Sequence, residues 1–342
     1  MKKIYFALSL LLTFTSLFAQ LIDLQTLAQN FVLETKRIEL TDYPYAFNAS
    51  ILRWRDFVLM SFRTIPDPKS AYSSWMGVVL LDNEFNPIGQ PQILETRDKN
   101  SIVPPRAEDG RLIYIGEKLH IIYSDNPDEK ISAPGFRMVV AELAYENGIF
   151  SIKNPCRLVE FEGSRFNLRE KNWVPFEYQN RLLLAYSISP HLILEPLADT
   201  GVCMTKACSS PYIVWDWGIL RGGTPAVRLD TGEYLSFFHS MKKMATLNSK
   251  EKNISHYFVG AYTFSPKPPF KINRFSAEPI VGPGFYTGTS YIPYWGLIQC
   301  VFPTGLIVDD DYIWFSYGRQ DHEIWVAKLD KKRLLKSLVD VH

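Results

Sequence analysis

The hexapeptide Arg106-Ala107-Glu108-Asp109-Gly110-Arg111 sets two adjacent carboxylates between two arginines, directly before the apolar run that begins at Leu112. A carboxyl kept protonated can donate to a leaving group, while a neighbour kept ionised can bind hydroxyls or cations, so this cluster suits acid-assisted bond cleavage. Glu-Asp-Gly is also ordinary turn chemistry. Taken alone, the hexapeptide is a charged turn more often than a site. The remaining polar candidates are spread along the chain. Arg221-Gly222-Gly223-Thr224-Pro225 offers a close backbone approach and a fixed cation. Trp173, Tyr257 and Tyr262 have flat apolar faces on which sugar rings stack, with core packing as the bland reading for most of the tryptophans.

Positioning such residues on one site requires elements that converge. Five segments share a pattern of apolar residues closed by an aromatic and a polar residue: Phe57 to Arg63, Leu119 to Asp125, Leu182 to Ser187, Tyr234 to His239 and Ile313 to Gly318. Aromatics are plentiful, long helical periodicity is scarce, and turn signals such as Asp82-Asn83-Glu84 and Asp230-Thr231-Gly232 lie between the segments. The reading is all-β, a five-bladed β-propeller with one blade per recurring unit, ahead of a β-sandwich. In that fold Arg63, Asp125, His239 and Asp321 occupy equivalent places near a central mouth. The expected domain division is a signal peptide over 1–19, an N-terminal linker or short helix over 20–41, the propeller over 42–330 and a short helical tail over 331–342.

Composition narrows the partner. Lys2 and Lys3 precede an apolar run ending in Leu17-Phe18-Ala19, as in a secretory leader, too short and too hydroxylated for a spanning helix. The expected location is therefore exported: periplasmic, cell-surface or extracellular. Removing the two leader lysines takes the formal net charge from +1 to −1, which argues against a nucleic-acid partner. No further segment approaches membrane-spanning length. Six histidines without ligand spacing give no expectation of a metal. Of the four cysteines, Cys203 and Cys208 are near enough in sequence to close a small loop in an oxidising compartment, and Cys156 and Cys300 read as buried thiols.

The order of motifs resembles glycoside hydrolase family 130, the β-mannoside phosphorylases and β-mannosidases. The match runs from Asn48-Ala49-Ser50 and Arg63 through Glu108-Asp109-Gly110-Arg111, Lys171-Asn172-Trp173-Val174-Pro175-Phe176, Arg221-Gly222-Gly223-Thr224-Pro225 and His239. It continues to Tyr257-Phe258-Val259-Gly260, Phe302-Pro303-Thr304-Gly305 and Tyr317-Gly318-Arg319-Gln320-Asp321. The resemblance implies a five-bladed propeller with Asp109 as the general acid, in a motif that usually reads Glu-Asp-Pro-Arg. Gly110 stands in place of that proline and is expected to loosen the turn. By the same resemblance, Asn48, Arg63, Glu108, Arg111, Lys171, Asn172, Trp173 and Asp321 bind substrate, and Arg221, His239 and Lys171 hold phosphate in phosphorolytic members.

The implied chemistry is inverting cleavage of a mannose-containing oligosaccharide or glycan. One acid assists the leaving oxygen, in phosphorolytic members by way of a sugar hydroxyl, and the nucleophile attacks from the opposite face. No cofactor is expected beyond inorganic phosphate as co-substrate. The leader favours hydrolysis, because a sugar phosphate is useful chiefly in the cytoplasm. Two alternatives share the pocket: a non-catalytic carbohydrate-binding propeller, and a mannosyltransferase using a sugar-phosphate donor.

Overall fold

Each of the five recurring segments is the second strand of a blade in a five-bladed β-propeller. The computed structural model describes residues 21–66, 73–97, 103–126, 135–166, 169–197, 200–288 and 296–341; the leader-like residues 1–19 lie outside them. Blade 1 is Ala46–Trp54, Phe57–Thr64, Trp75–Leu81 and Pro87–Ile93; blade 2 is Glu108–Ile115, Lys118–Asp125, Arg137–Glu146 and Ile149–Arg157. Blade 3 is Val174–Tyr178, Arg181–Ser187, His191–Pro196 and Val202–Ser209, with the short strands Glu160–Phe161 and Ser164–Arg165 added at its outer edge. Blade 4 has an interrupted inner strand, Ile219–Arg221 then Val227–Arg228, followed by Tyr234–Met244, Ile254–Phe264 and Ile272–Ser276. Blade 5 is Ile298–Val308, Tyr312–Arg319 and Glu323–Asp330, and its fourth strand comes from the other end of the chain, Val32–Ile38.

Burial explains why these runs are strands. The second strands sit between two neighbouring blades, so Phe57–Thr64 is buried at every residue after the first, whereas the outer strand Ile149–Arg157 is mostly open to water. A buried core cluster fills each junction between blades. Leu59, Met76 and Leu112 join blades 1 and 2; Ile122, Trp173 and Leu184 join 2 and 3; Phe176, Phe238 and Tyr262 join 3 and 4. Phe237, Phe258 and Phe315 join 4 and 5, and Ile51, Val58 and Ile307 close the ring from 5 to 1. Near the axis the inner strands approach too closely for side chains. A Cβ on Gly305 would lie 2.2 Å from the Ile51 nitrogen, and serines stitch the neighbours instead: Ser61 Oγ donates to the Gly110 carbonyl at 2.6 Å and Ser316 Oγ to the Ala49 carbonyl at 2.5 Å.

Both chain ends differ from the division expected from sequence. The stretch read as a linker over 20–41 holds a short 3-10 turn, Leu24–Leu27, and then the closing strand of blade 5, so the propeller begins before residue 42. Closure of this kind removes an exposed sheet edge. The tail contains the expected helix, Lys331–Ser337, capped by Asp330 accepting from the Arg333 N–H at 2.9 Å. It ends as a strand, Leu338–Asp340, paired with Ile272–Ser276 of blade 4. The suggested Cys203–Cys208 bond is absent, and both thiols are free. The two residues lie five apart on one extended strand, about 16 Å at the usual rise, where a disulfide needs roughly 7 Å or less.

Candidate active site

The inner strands of blades 1 and 2 each slip register near the mouth, between Phe47 and Ser50 and between Glu108 and Arg111. Bulges re-aim side chains. Asn48 (φ 48°) and Asp109 (φ 55°) occupy these bulges in the left-handed region, and their side chains meet: Asn48 Nδ2 donates to Asp109 Oδ1 at 3.0 Å. The same Nδ2 lies 3.4 Å from Asp321 Oδ1, so one amide on blade 1 spans two carboxyls carried by blades 2 and 5. Arg63, at the end of the second strand of blade 1, donates to Glu108 Oε1 at 2.9 Å and stands 3.7 Å from Asp109 Oδ1. Ser74 aims it, accepting from Arg63 Nε at 2.8 Å while donating to the Ala107 carbonyl at 2.8 Å.

The adjacent carboxylates are thereby separated in role. Burial alone would raise the Glu108 carboxyl, but Arg63, Lys171 and Arg169 outweigh it and hold the group below the usual range. Glu108 is a structural anion, bonded to Arg63 on one oxygen and Lys171 on the other. Asp109 has its Oδ1 occupied, while its Oδ2 has no partner among the described residues. Asp321 is pushed up to about 6, chiefly by burial, with the Asp109 and Glu108 charges adding to it against Arg63 and Asn48.

Arg111 links this cluster to the other side of the mouth. Fully buried, it donates to the carbonyls of Asp109 (3.0 Å) and Gly223 and to Asn172 Oδ1 (3.2 Å). Gly222, one residue before Gly223, accepts from His239 Nδ1 at 2.7 Å through its carbonyl. Burial, then Arg221 and Arg111, push His239 down to about 3, so the ring is neutral with its proton on Nδ1. The Arg221 side chain is exposed and makes no ion pair among the described residues. Gly222 and Gly223 are required by packing, since a Cβ on either would meet the backbone of Asn172 (2.0 Å) or Phe237 (2.3 Å).

The structure thus gathers Asn48, Arg63, Glu108, Asp109, Arg111, Lys171, Asn172 and Asp321 around one mouth, with Arg221 and His239 across Arg111 from the acid. Four expectations fail. Trp173 is 1 % exposed, edge-on to Phe166 and Tyr186 with its Nε1 toward Glu170, and offers no face to a sugar. Tyr262 is likewise core. Asp125 turns to Arg97 at 2.7 Å. Lys171 is available to phosphate only in competition with Glu108. The turn at Gly110 is clamped rather than loose, by Ser61 on its carbonyl and by Met76 and Ile121, which fill the space a Cβ would take. Sequence reasoning missed Ser74, whose distance from Arg63 hides their contact, and Cys300, whose Sγ lies 4.0 Å from Asp321 Oδ1. Among the described residues no group of three or more His, Cys, Asp or Glu side chains is placed to hold a metal ion, and no helix is long and apolar enough to cross a membrane.

Comparison with known proteins places this geometry. Residues 32–340 match the family model of the glycoside hydrolase 130 group, described as β-1,4-mannooligosaccharide phosphorylase. No curated protein is similar enough in sequence to match. Among solved structures, a putative glycosidase from Bacteroides thetaiotaomicron superposes with a TM-score of 0.63 at 15% identity, over 89% of this chain and 96% of that one. A GDP-mannose-dependent mannosyltransferase from Leishmania mexicana gives 0.60 at 11% identity, over 88% and 91%. A β-1,2-mannobiose phosphorylase from Listeria innocua gives 0.57 at 14% identity, over 92% and 95%. At these identities the superpositions speak to the fold.

Proposed function

The chain belongs to glycoside hydrolase family 130, and we propose that it cleaves β-mannosides with inversion, using Asp109 as the only catalytic acid and phosphate as the nucleophile. It is an enzyme of the β-mannoside phosphorylase and hydrolase type. The glycone is held by Asn48, Arg63 and Asp321. Asp109 Oδ2 delivers its proton to the departing glycosidic oxygen, directly or through a sugar hydroxyl, as the bond to the anomeric carbon breaks. A phosphate oxygen attacks that carbon from the opposite face, giving mannose 1-phosphate and the released alcohol. The observation that carries this reading is the asymmetry of the mouth. The carboxyls of the cluster lie on the Asn48 and Arg63 side, while across Arg111 stand Arg221 and His239 with no carboxylate bonded to them among the described residues. An exposed guanidinium beside a neutral imidazole suits an arriving anion and supplies no carboxylate base to activate water.

Hydrolysis is the second reading, favoured by the leader-like residues 1–19 and the export we infer from them. Incubation with β-1,2- and β-1,4-mannobiose, with and without phosphate, separates the two. Mannose 1-phosphate formed only when phosphate is present supports the first reading; mannose released equally without phosphate supports the second. Binding by calorimetry with no product from either sugar points to a carbohydrate-binding module, and would overturn both. Asp109→Asn should abolish turnover while preserving sugar binding.

A further inference from the structure

Asp321 is kept in place by residues that lie away from the sugar site. Gln320 and Asp321 are consecutive non-glycine residues in the left-handed region, at φ 59° and 50°, a strained conformation that persists only where the surroundings over-determine it. The Gln320 amide supplies much of that constraint. Its Oε1 accepts from the Cys300 N–H at 2.6 Å, its Nε2 donates to Gln299 Oε1 at 2.7 Å, and its backbone N–H donates to the Cys300 carbonyl at 2.9 Å. Gln299 Nε2 then donates to the Asn248 carbonyl at 2.8 Å. The Asn248 side chain clasps the start of the described chain, accepting from the Leu24 N–H at 2.7 Å and donating to Asp23 Oδ1 at 3.3 Å. Asp23 in turn caps the Leu24–Leu27 turn through the Gln25 N–H.

The direction of this relay is determined at both ends. The Cys300 N–H can only donate and the Asn248 carbonyl can only accept, so the two glutamine amides between them have one compatible orientation each. With Gln299 at 2 % and Gln320 at 1 % exposure, water cannot replace a lost partner cheaply. We propose that Gln299 is a positioning residue for the reaction, coupling the docked N-terminal segment to Gln320 and so fixing Asp321 beside Asn48 and Asp109. The kinetic part of this inference depends on Asp321 holding the glycone as proposed above; the structural part does not.

The test uses the full chain with Gln299→Leu, which removes the relay, and Asn248→Ala, which keeps the backbone carbonyl and loosens only the clasp on Leu24 and Asp23. The expected result is faster amide exchange at residues 320–322 in both variants by hydrogen-exchange mass spectrometry. In Gln299→Leu, kcat on a β-mannobiose should fall about tenfold, with a smaller fall in Asn248→Ala. A folded Gln299→Leu protein with unchanged exchange at 320–322 overturns the proposal, as does wild-type kcat accompanied only by a lower Tm. If Gln299→Leu does not fold, Asn248→Ala decides by the same two readouts. Should the wild type cleave no β-mannoside, the functional reading fails while the exchange result still judges the relay.

Discussion

Gly318 lies so close to Asn48 that a Cβ added to the glycine would sit 1.8 Å from Asn48 Oδ1. Blade 5 therefore fixes the rotamer of a blade 1 side chain, and through it the amide that touches both Asp109 and Asp321. Gly318→Ala should turn the Asn48 side chain out of this position. The expected outcome is a folded protein with kcat/KM on β-mannobiose reduced about 100-fold, the scale on which small misplacements act. Circular dichroism and steady-state kinetics on the purified variant check both halves.

Gly110 is the departure from the usual family motif, and its surroundings show what accommodates it. A Cβ there would meet Met76 Sδ at 2.4 Å and Ile121 Cδ1 at 3.0 Å, so the larger side chain of blade 1 fills the space that a proline ring needs. Gly110→Pro alone should lower stability by about 1–3 kcal/mol through overpacking. Met76→Ala alone should also destabilise, by loss of packing. Combined, the two should recover part of both losses, a coupling that a double-mutant cycle by urea unfolding measures. Strict additivity would show that the two residues do not share this volume.

The fold was legible because the blade is the unit of repetition. The segments at Phe57, Leu119, Leu182, Tyr234 and Ile313 carry the pattern of a strand buried on both faces, and the structure makes each of them the second strand of a blade. The closing strand Val32–Ile38 was not legible, since its partner Glu323–Asp330 lies nearly the whole chain away and its burial is mixed. In the site, residues on inner strands and their bulges could be found by motif. Their partners could not: Ser74 reaches Arg63 across a loop, and Gln299 reaches Gln320 from a different strand. Trp173 shows the opposite failure. It belongs to a motif at the mouth, but it stands just before the strand Val174–Tyr178, and its indole packs against Phe166 and Tyr186 in the junction of blades 2 and 3.

His239 makes a prediction about anion choice. With Nδ1–H committed to the Gly222 carbonyl and the ring neutral well above about 3, Nε2 is an acceptor. It can accept a hydrogen bond from a protonated phosphate oxygen, whereas sulfate carries no proton near neutral pH. Phosphate should therefore bind or react at least about tenfold better than sulfate, the equivalent of one lost charge-assisted hydrogen bond. Competition of sulfate against phosphate in the phosphorolysis assay checks this, and His239→Phe should abolish the preference. Equal inhibition by sulfate would mean that His239 acts as a cation in the complex.

Asp321 makes the clearest prediction about pH. Its carboxyl is raised from an ordinary value of 3.8 to about 6, so between these values the folded protein holds a proton that the unfolded chain has released. Stability from this group is fully present below pH 4 and is lost as pH rises through about 6. Asp321→Asn removes the dependence, because the amide stays neutral and still fits beside Asn48. The Tm of the wild type minus that of Asp321→Asn should therefore fall between pH 4 and 6 and level off above. The kcat/KM profile of the wild type should carry an inflection near pH 6, where Asp321 gains its negative charge beside the Asn48 amide that would hold the glycone. A Tm difference that stays flat from pH 4 to 7 would place Asp321 at the ordinary carboxylate value and remove it as the source of that inflection.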